Sequence, residues 1–131
     1  MEIEESNKLI AEFLGMQKTD IGWFDNEGSL SQYIYDETGG NCHDYLLFDK
    51  DWNWIIPVVE KIESLKINGK YFIPYIDIRG SNCTIYKKVR HGLPEPWFRA
   101  SDITPSGNKI QGVYITILEF IKWYNDQEES I

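Results

Sequence analysis

The sequence predicts an α+β fold in which helices pack on a small antiparallel β-sheet, an arrangement resembling an α-β-α sandwich. Three observations predict it. Apolar residues recur at helical spacing in three segments, one near each end of the chain and one in the middle. Two apolar, β-rich runs flank Arg79-Gly80-Ser81 in the manner of a hairpin. A chain of 131 residues, 42% hydrophobic and 15% aromatic, can bury a core without metal or disulfide staples. The order is helix, insertion, helix, hairpin, irregular strand, helix, read as a single domain over residues 1–131. Residues 17–50 form an ordered, aromatic and acidic insertion in that reading.

The first helix is expected from Ser6 to Met16. Leu9, Ile10, Phe13 and Leu14 make one apolar stripe, Ser6 is available as its cap, and Gly15 stands where the helix should stop. From Gln17 to Lys50 no period is sustained. Gly22, Gly28, Gly39 and Gly40 alternate there with Trp23, Phe24, Tyr33, Tyr35 and Tyr45. A structureless loop of that length is rare inside a compact domain, so an aromatic-pinned insertion is expected, with a short strand at Ser31 to Tyr35. The second helix runs from near Asp51 to Leu65, with Ile55, Val58, Val59, Ile62 and Leu65 on one face. Asp51 or Asn53 can cap it. Pro57 kinks it unless Asn53 is the cap, which would bring the proline close to the first turn.

The hairpin follows, in YFIPYIDI and NCTIYKK, and Pro74 confines its strand to an edge or a bulge. Between Val89 and Asn108 the chain turns irregular, with Trp97 and Phe98 anchoring a brief third strand. The last helix is the clearest element. Ile110, Val113, Tyr114, Ile117, Leu118, Ile121 and Tyr124 keep helical spacing through Asp126, and Ser106 or Asn108 can cap it.

The charge is segregated. The formal net charge is −8, but residues 1–51 hold 12 acids and 3 lysines, whereas residues 52–131 hold 9 acids and 10 bases. The first segment therefore carries −9 and the second +1. This balance argues against a broad basic face that grips phosphate backbones, above all on the acidic segment, and no direct nucleic-acid binding is expected. No apolar run approaches about 18 residues, so no membrane span is expected. The acidic start, MEIEESNKLI, is the opposite of a signal peptide's basic one. Two cysteines, Cys42 and Cys83, are too few for a secreted scaffold and read as reduced. Cytoplasmic residence is the expectation. The plain reading of the acidic segment is a solvated face that aids solubility. The sharper reading is an interaction surface, because clustered carboxylates steer a basic partner while interleaved aromatics supply buried anchors.

Other constellations are weaker. Asp49-Lys50-Asp51, beside His43 and Asp44, has the ligand types of a divalent-metal site, but Asp51 has a simpler role as helix cap and no spacing signature accompanies it. In Asp25-Asn26-Glu27-Gly28 the glycine comes too early for a calcium loop. Cys42-His43-Asp44, with His91 elsewhere, has the residue types of nucleophilic catalysis, yet catalytic triads are assembled from separate elements. A packed cysteine and a surface histidine are the simpler reading. Lys87, Lys88, Arg90, His91 and Arg99 form a modest basic patch with Trp97 and Phe98, read as a hairpin edge protected by lysines. No catalytic residue, metal ligand or cofactor is assigned.

The segments NKLIAEFLGM, LFDKDWNWIIPVVEKIESL, the short CTI strand and VYITILEFIKWYNDQ, with a Trp-bearing insertion after the first, resemble small phage and prophage proteins of the phage α-β-α sandwich type. The versions in Bacteroidetes phages are the most similar. Residues 17–48 and 89–108 lie outside the resemblance, and it brings no catalytic residues. It implies a mobile-element protein acting inside a bacterial cell. The expected function is a non-enzymatic inhibitor of a host defence system, an anti-CRISPR protein that docks on a basic guide- or target-binding surface of an RNA-guided nuclease. Trp23, Phe24, Tyr33, Tyr35 and Tyr45 are its expected anchors. Asp20, Asp25, Glu27, Asp36 and Glu37 are the expected steering charges. A structural or assembly accessory of phage particles or replication complexes is the alternative, and a metal-dependent hydrolase, with Asp49–Asp51 as its metal site, is a third.

Overall fold

A computed structural model describes residues 3–20, 22–25, 42–43, 45–65, 72–79, 82–89, 95–99 and 109–129. The chain has two compact units, Met1–Val58 and Val59–Ile131. The expected strand at Ser31 to Tyr35 and the expected caps Ser106 and Asn108 lie outside the described residues.

The N-terminal unit opens with helix α1, Ile3–Phe13. Glu4 and Glu5 sit in its first turn, where carboxylates complement the positive end of the helix dipole. The helix begins earlier than expected, so Ser6 is no cap. Ser6 and Asn7 instead join Ile10, Ala11 and Phe13 on the buried face. The far end is closed as a Schellman motif: the Met16 amide donates to Ala11 O and the Gly15 amide to Glu12 O, both at 3.0 Å. Gly15 makes this possible with φ of 85°, a conformation that a Cβ opposes. Gly15→Ala is expected to lower stability by about 1 kcal/mol, read from the denaturation midpoint; an unchanged midpoint would show that the cap contributes nothing.

Three short strands follow, β1 (Gln17–Thr19), β2 (Gly22–Phe24) and β3 (Cys42–His43). They form one antiparallel sheet in that order, with Lys18 opposite Trp23 and Trp23 opposite His43. The Thr19 hydroxyl donates to Gly22 O at 2.7 Å and tightens the β1–β2 connection. A turn then leads into helix α2, Trp52–Ser64. Asp51 is its cap: the Asp51 carboxylate accepts from the Asn53 amide at 2.9 Å. Pro57 therefore lies inside the helix, beyond the first turn, where it removes the N–H that would bond Asn53 O. The border between the two units falls one residue later, after Val58.

In the C-terminal unit, β4 (Phe72–Arg79), β5 (Asn82–Val89) and β6 (Glu95–Arg99) form a second antiparallel sheet, again in chain order. The hairpin register runs from Phe72 opposite Val89 to Arg79 opposite Asn82. Pro74 lies on an edge strand, as its missing donor requires. Lys87 and Lys88 lie on β5, the central strand, so they do not protect an edge. Helix α3, Lys109–Glu129, packs its apolar stripe (Val113, Ile117, Phe120, Ile121) on this sheet. The Thr116 hydroxyl lies 2.8 Å from Gly112 O and 3.3 Å from Cys83 O, linking the helix to β5. Phe98 of β6 meets Phe120 edge-on at 5.8 Å. On α2, Glu63 accepts from the Ile76 amide at 3.1 Å. The unit is α+β, with a helix packed on a small antiparallel sheet.

Candidate partner-binding surface

The N-terminal unit carries both the acidic charge and a cleft. Its core includes Ile10, Leu14, Phe48, Trp54, Ile55 and Val58, all buried. The turn after β3 is held inward by Phe48, fully buried, whose ring meets Trp54 edge-on at 5.2 Å. Asn7, from the buried face of α1, reaches across to the same turn. Its Nδ2 donates to Leu46 O at 3.0 Å and to the Asp49 carboxylate at 3.1 Å. That link sets the spacing of two walls. Between them and the first sheet lies a cleft of about 610 Å³, within the usual range of ligand pockets.

Its lining mixes charges and rings. Glu4, Glu5 and Asp49 supply carboxylates, Lys8, Lys18 and Lys50 supply ammonium groups, and Trp23 and Tyr45 supply aromatic faces. The Lys18 ammonium stands over the Trp23 ring, 5.7 Å from its centre. Asp49 and Asp51, the expected third-choice metal ligands, hold Asn7 and cap α2 respectively.

The expected binding residues divide sharply. Tyr45 is 77% exposed and Phe24 38% exposed, and Asp20 is exposed, as a contact surface requires. Trp23 is only 8% exposed: it packs as part of the core and lines the cleft beneath Lys18 instead of projecting as an anchor. Asp25 is fully buried and is no steering charge. Glu27, Tyr33, Tyr35, Asp36 and Glu37 lie outside the described residues. Sequence reasoning missed Glu4 and Glu5 as site residues, although both are exposed on the cleft and both were within the −9 segment. Exposed Ile3, Trp52 and Ile56 were also missed. The amphipathic stripes of their helices marked the buried faces and drew attention away from the apolar side chains left outside.

His43 is interior, where a surface histidine was the simpler expectation. It is 3% exposed and meets Trp54 edge-on at 5.1 Å. Among the described residues, neither ring nitrogen has a hydrogen-bond partner. Burial pushes its pKa below the usual histidine value, partly opposed by the negative charge of Asp25. Both cysteines are free thiols. Cys83, buried beneath α3, has its pKa pushed up to about 11 by burial, so it is inert as a nucleophile at neutral pH. Among the described residues, no three or more His, Cys, Asp and Glu side chains gather as a metal site would need. No described helix is long and apolar enough to cross a membrane. No protein-family model, curated protein or solved structure matches this chain, so the resemblance to phage α-β-α sandwich proteins rests on the quoted segments alone.

Proposed function

We propose that the chain is a non-enzymatic binding protein whose N-terminal unit docks on a basic protein surface. Its partner is the guide- or target-binding channel of an RNA-guided nuclease, and its effect is inhibition, the action of an anti-CRISPR protein. One observation carries the docking mode. The segment that holds −9 of charge belongs to the same unit as the exposed apolar side chains Tyr45, Phe24, Ile3, Trp52 and Ile56. Charge supplies long-range attraction and fast encounter, while exposed aromatics supply short-range burial. A channel built for nucleic acid is lined with Lys and Arg, so a carboxylate array competes for it. The similarity of the quoted segments to phage proteins supports host defence as the setting.

The test is target cleavage by guide-loaded nucleases, titrated with the purified protein at several salt concentrations. Inhibition is expected, weakening as salt rises. Asp20→Asn, Asp36→Asn and Glu37→Gln together are expected to slow association by about tenfold, with a smaller effect on dissociation. Asp25 is left intact because it is buried. Unchanged inhibition and unchanged salt response in the triple variant would reject acidic steering. Failure to inhibit any nuclease would reject the assigned partner.

A further inference from the structure

The cleft already shows a cation in place. Lys18 reaches from β1 across to Trp23, its register partner on β2, and sets its ammonium over the indole face. Lys18 is exposed and sits on a short edge strand, so its flexible stem can leave that face without moving the backbone. Tyr45, 77% exposed, adds a second ring to the same lining. Glu4 and Glu5, from the first turn of α1, and Asp49, held by Asn7, bring carboxylates to it.

The lining does not favour a run of positive charge, because Lys8, Lys18 and Lys50 offset its three carboxylates. What it selects is shape. A guanidinium is planar, stacks on aromatic faces and forks onto a carboxylate, whereas an ammonium is a compact and strongly hydrated point charge. Lysine is thus the weaker occupant of a site that pairs rings with carboxylates. The negative field of the whole segment brings basic partners near, and the cleft then distinguishes among their side chains.

We propose that this cleft seats a single arginine side chain of the basic partner, stacked on Tyr45 and Trp23 and paired with a cleft carboxylate, and that Lys18 leaves the Trp23 face as it enters. The proposal rests on the docking function above and adds the chemistry read in the cleft: one arginine of the partner's basic surface.

Calorimetric titration of the full chain with glycine-serine peptides tests this. The peptides carry one arginine, one lysine, one citrulline or four arginines. The indole resonance of Trp23, assigned through Trp23→Phe, reports the site. The arginine peptide is expected to bind about tenfold tighter than the lysine peptide, the citrulline peptide not to bind, and four arginines to shift the Trp23 resonance no further than one, with any gain beyond the statistical factor lost as salt rises. Tyr45→Ala, at an exposed position, is expected to weaken the arginine peptide by about three- to tenfold. Lys18→Ser is expected to strengthen it, and by more than Lys8→Ser, which changes the charge of the same cleft equally but vacates no ring. Equal affinity for arginine and lysine, equal effects of the two serine variants, or an unmoved Trp23 resonance would each overturn the proposal. If the peptides fail while salt-sensitive nuclease inhibition persists, the cleft inference falls and the docking function stands. If the peptides behave as expected and no nuclease is inhibited, the cleft stands and the nuclease does not.

Discussion

Phe48→Ala is expected to cost the N-terminal unit about 3–5 kcal/mol, the range for truncating a fully buried aromatic ring. Phe48 occupies a short turn, an unusual place for so much buried area. Its ring lies edge-on to Trp54, which in turn lies edge-on to His43, so the three rings form a row through the unit. Removing the first member leaves a cavity that cannot easily close, because Trp54 is fixed on α2 just inside the Asp51 cap. The loss includes the edge-to-face contact itself, about 0.5–1.5 kcal/mol beyond area. Binding should fall with stability, because the same turn brings Tyr45, Asp49 and Lys50 to the cleft. Denaturant unfolding measures the first effect and peptide titration the second. Tyr45→Ala is the control: it changes the same turn at an exposed position and should shift stability by less than about 0.5 kcal/mol. A loss below about 1 kcal/mol for Phe48→Ala would mean that the turn is a surface appendage and that the cleft has no fixed wall.

The elements legible in the sequence were those with enough residues to show a period. Helix α3 repeats its apolar stripe over several turns, and β4 and β5 are long enough to read as paired strands on either side of Gly80-Ser81. Pro74 marked its own strand as an edge or a bulged one, because a missing donor is a local fact that restricts a strand's place in a sheet, and the strand stands at the edge. The first sheet was illegible for the opposite reason. Its strands hold three residues or fewer, too short for any alternation, and β3 is paired across a long stretch of sequence. The same difficulty misplaced Trp23 and Asp25. Which of two neighbouring side chains turns inward depends on strand phase, and three residues do not reveal a phase. Asn7 was hidden differently. It is a polar residue on the buried face of a helix, and only its contacts with Leu46 and Asp49, far along the chain, explain why it is there. The charge asymmetry was fully legible, since it needs only counting. Its geometry was not, and the buried Asp25 shows that a segment's charge and its surface charge are different quantities.

Acid is expected to weaken the N-terminal unit at a pH well above that of ordinary carboxylate titration, and His43 is the group responsible. Its pKa in the folded chain lies below the unfolded value of 6.5, first because burial penalises the imidazolium, with Asp25 opposing that shift. The unfolded chain therefore binds a proton that the folded chain refuses. Above pH 6.5 both states are neutral at this site and its contribution is constant. As pH falls below 6.5, stability declines by up to about 1.4 kcal/mol per pH unit, and the decline ends once pH passes below the folded pKa. His43→Phe isolates this effect. It keeps a ring beside Trp54 and deletes two buried nitrogens that have no hydrogen-bond partner among the described residues. Such orphaned groups cost about 1–3 kcal/mol, so the variant should be at least as stable as the parent at pH 7.5. Between pH 6.5 and 5.5, before most carboxylates titrate, the parent's denaturation midpoint should fall while the variant's stays level. Asp25→Asn should steepen or extend the parent's decline, since it removes the charge that partly supports the imidazolium. Parallel pH profiles for the parent and His43→Phe would show that the buried imidazole is not what makes the unit acid-sensitive.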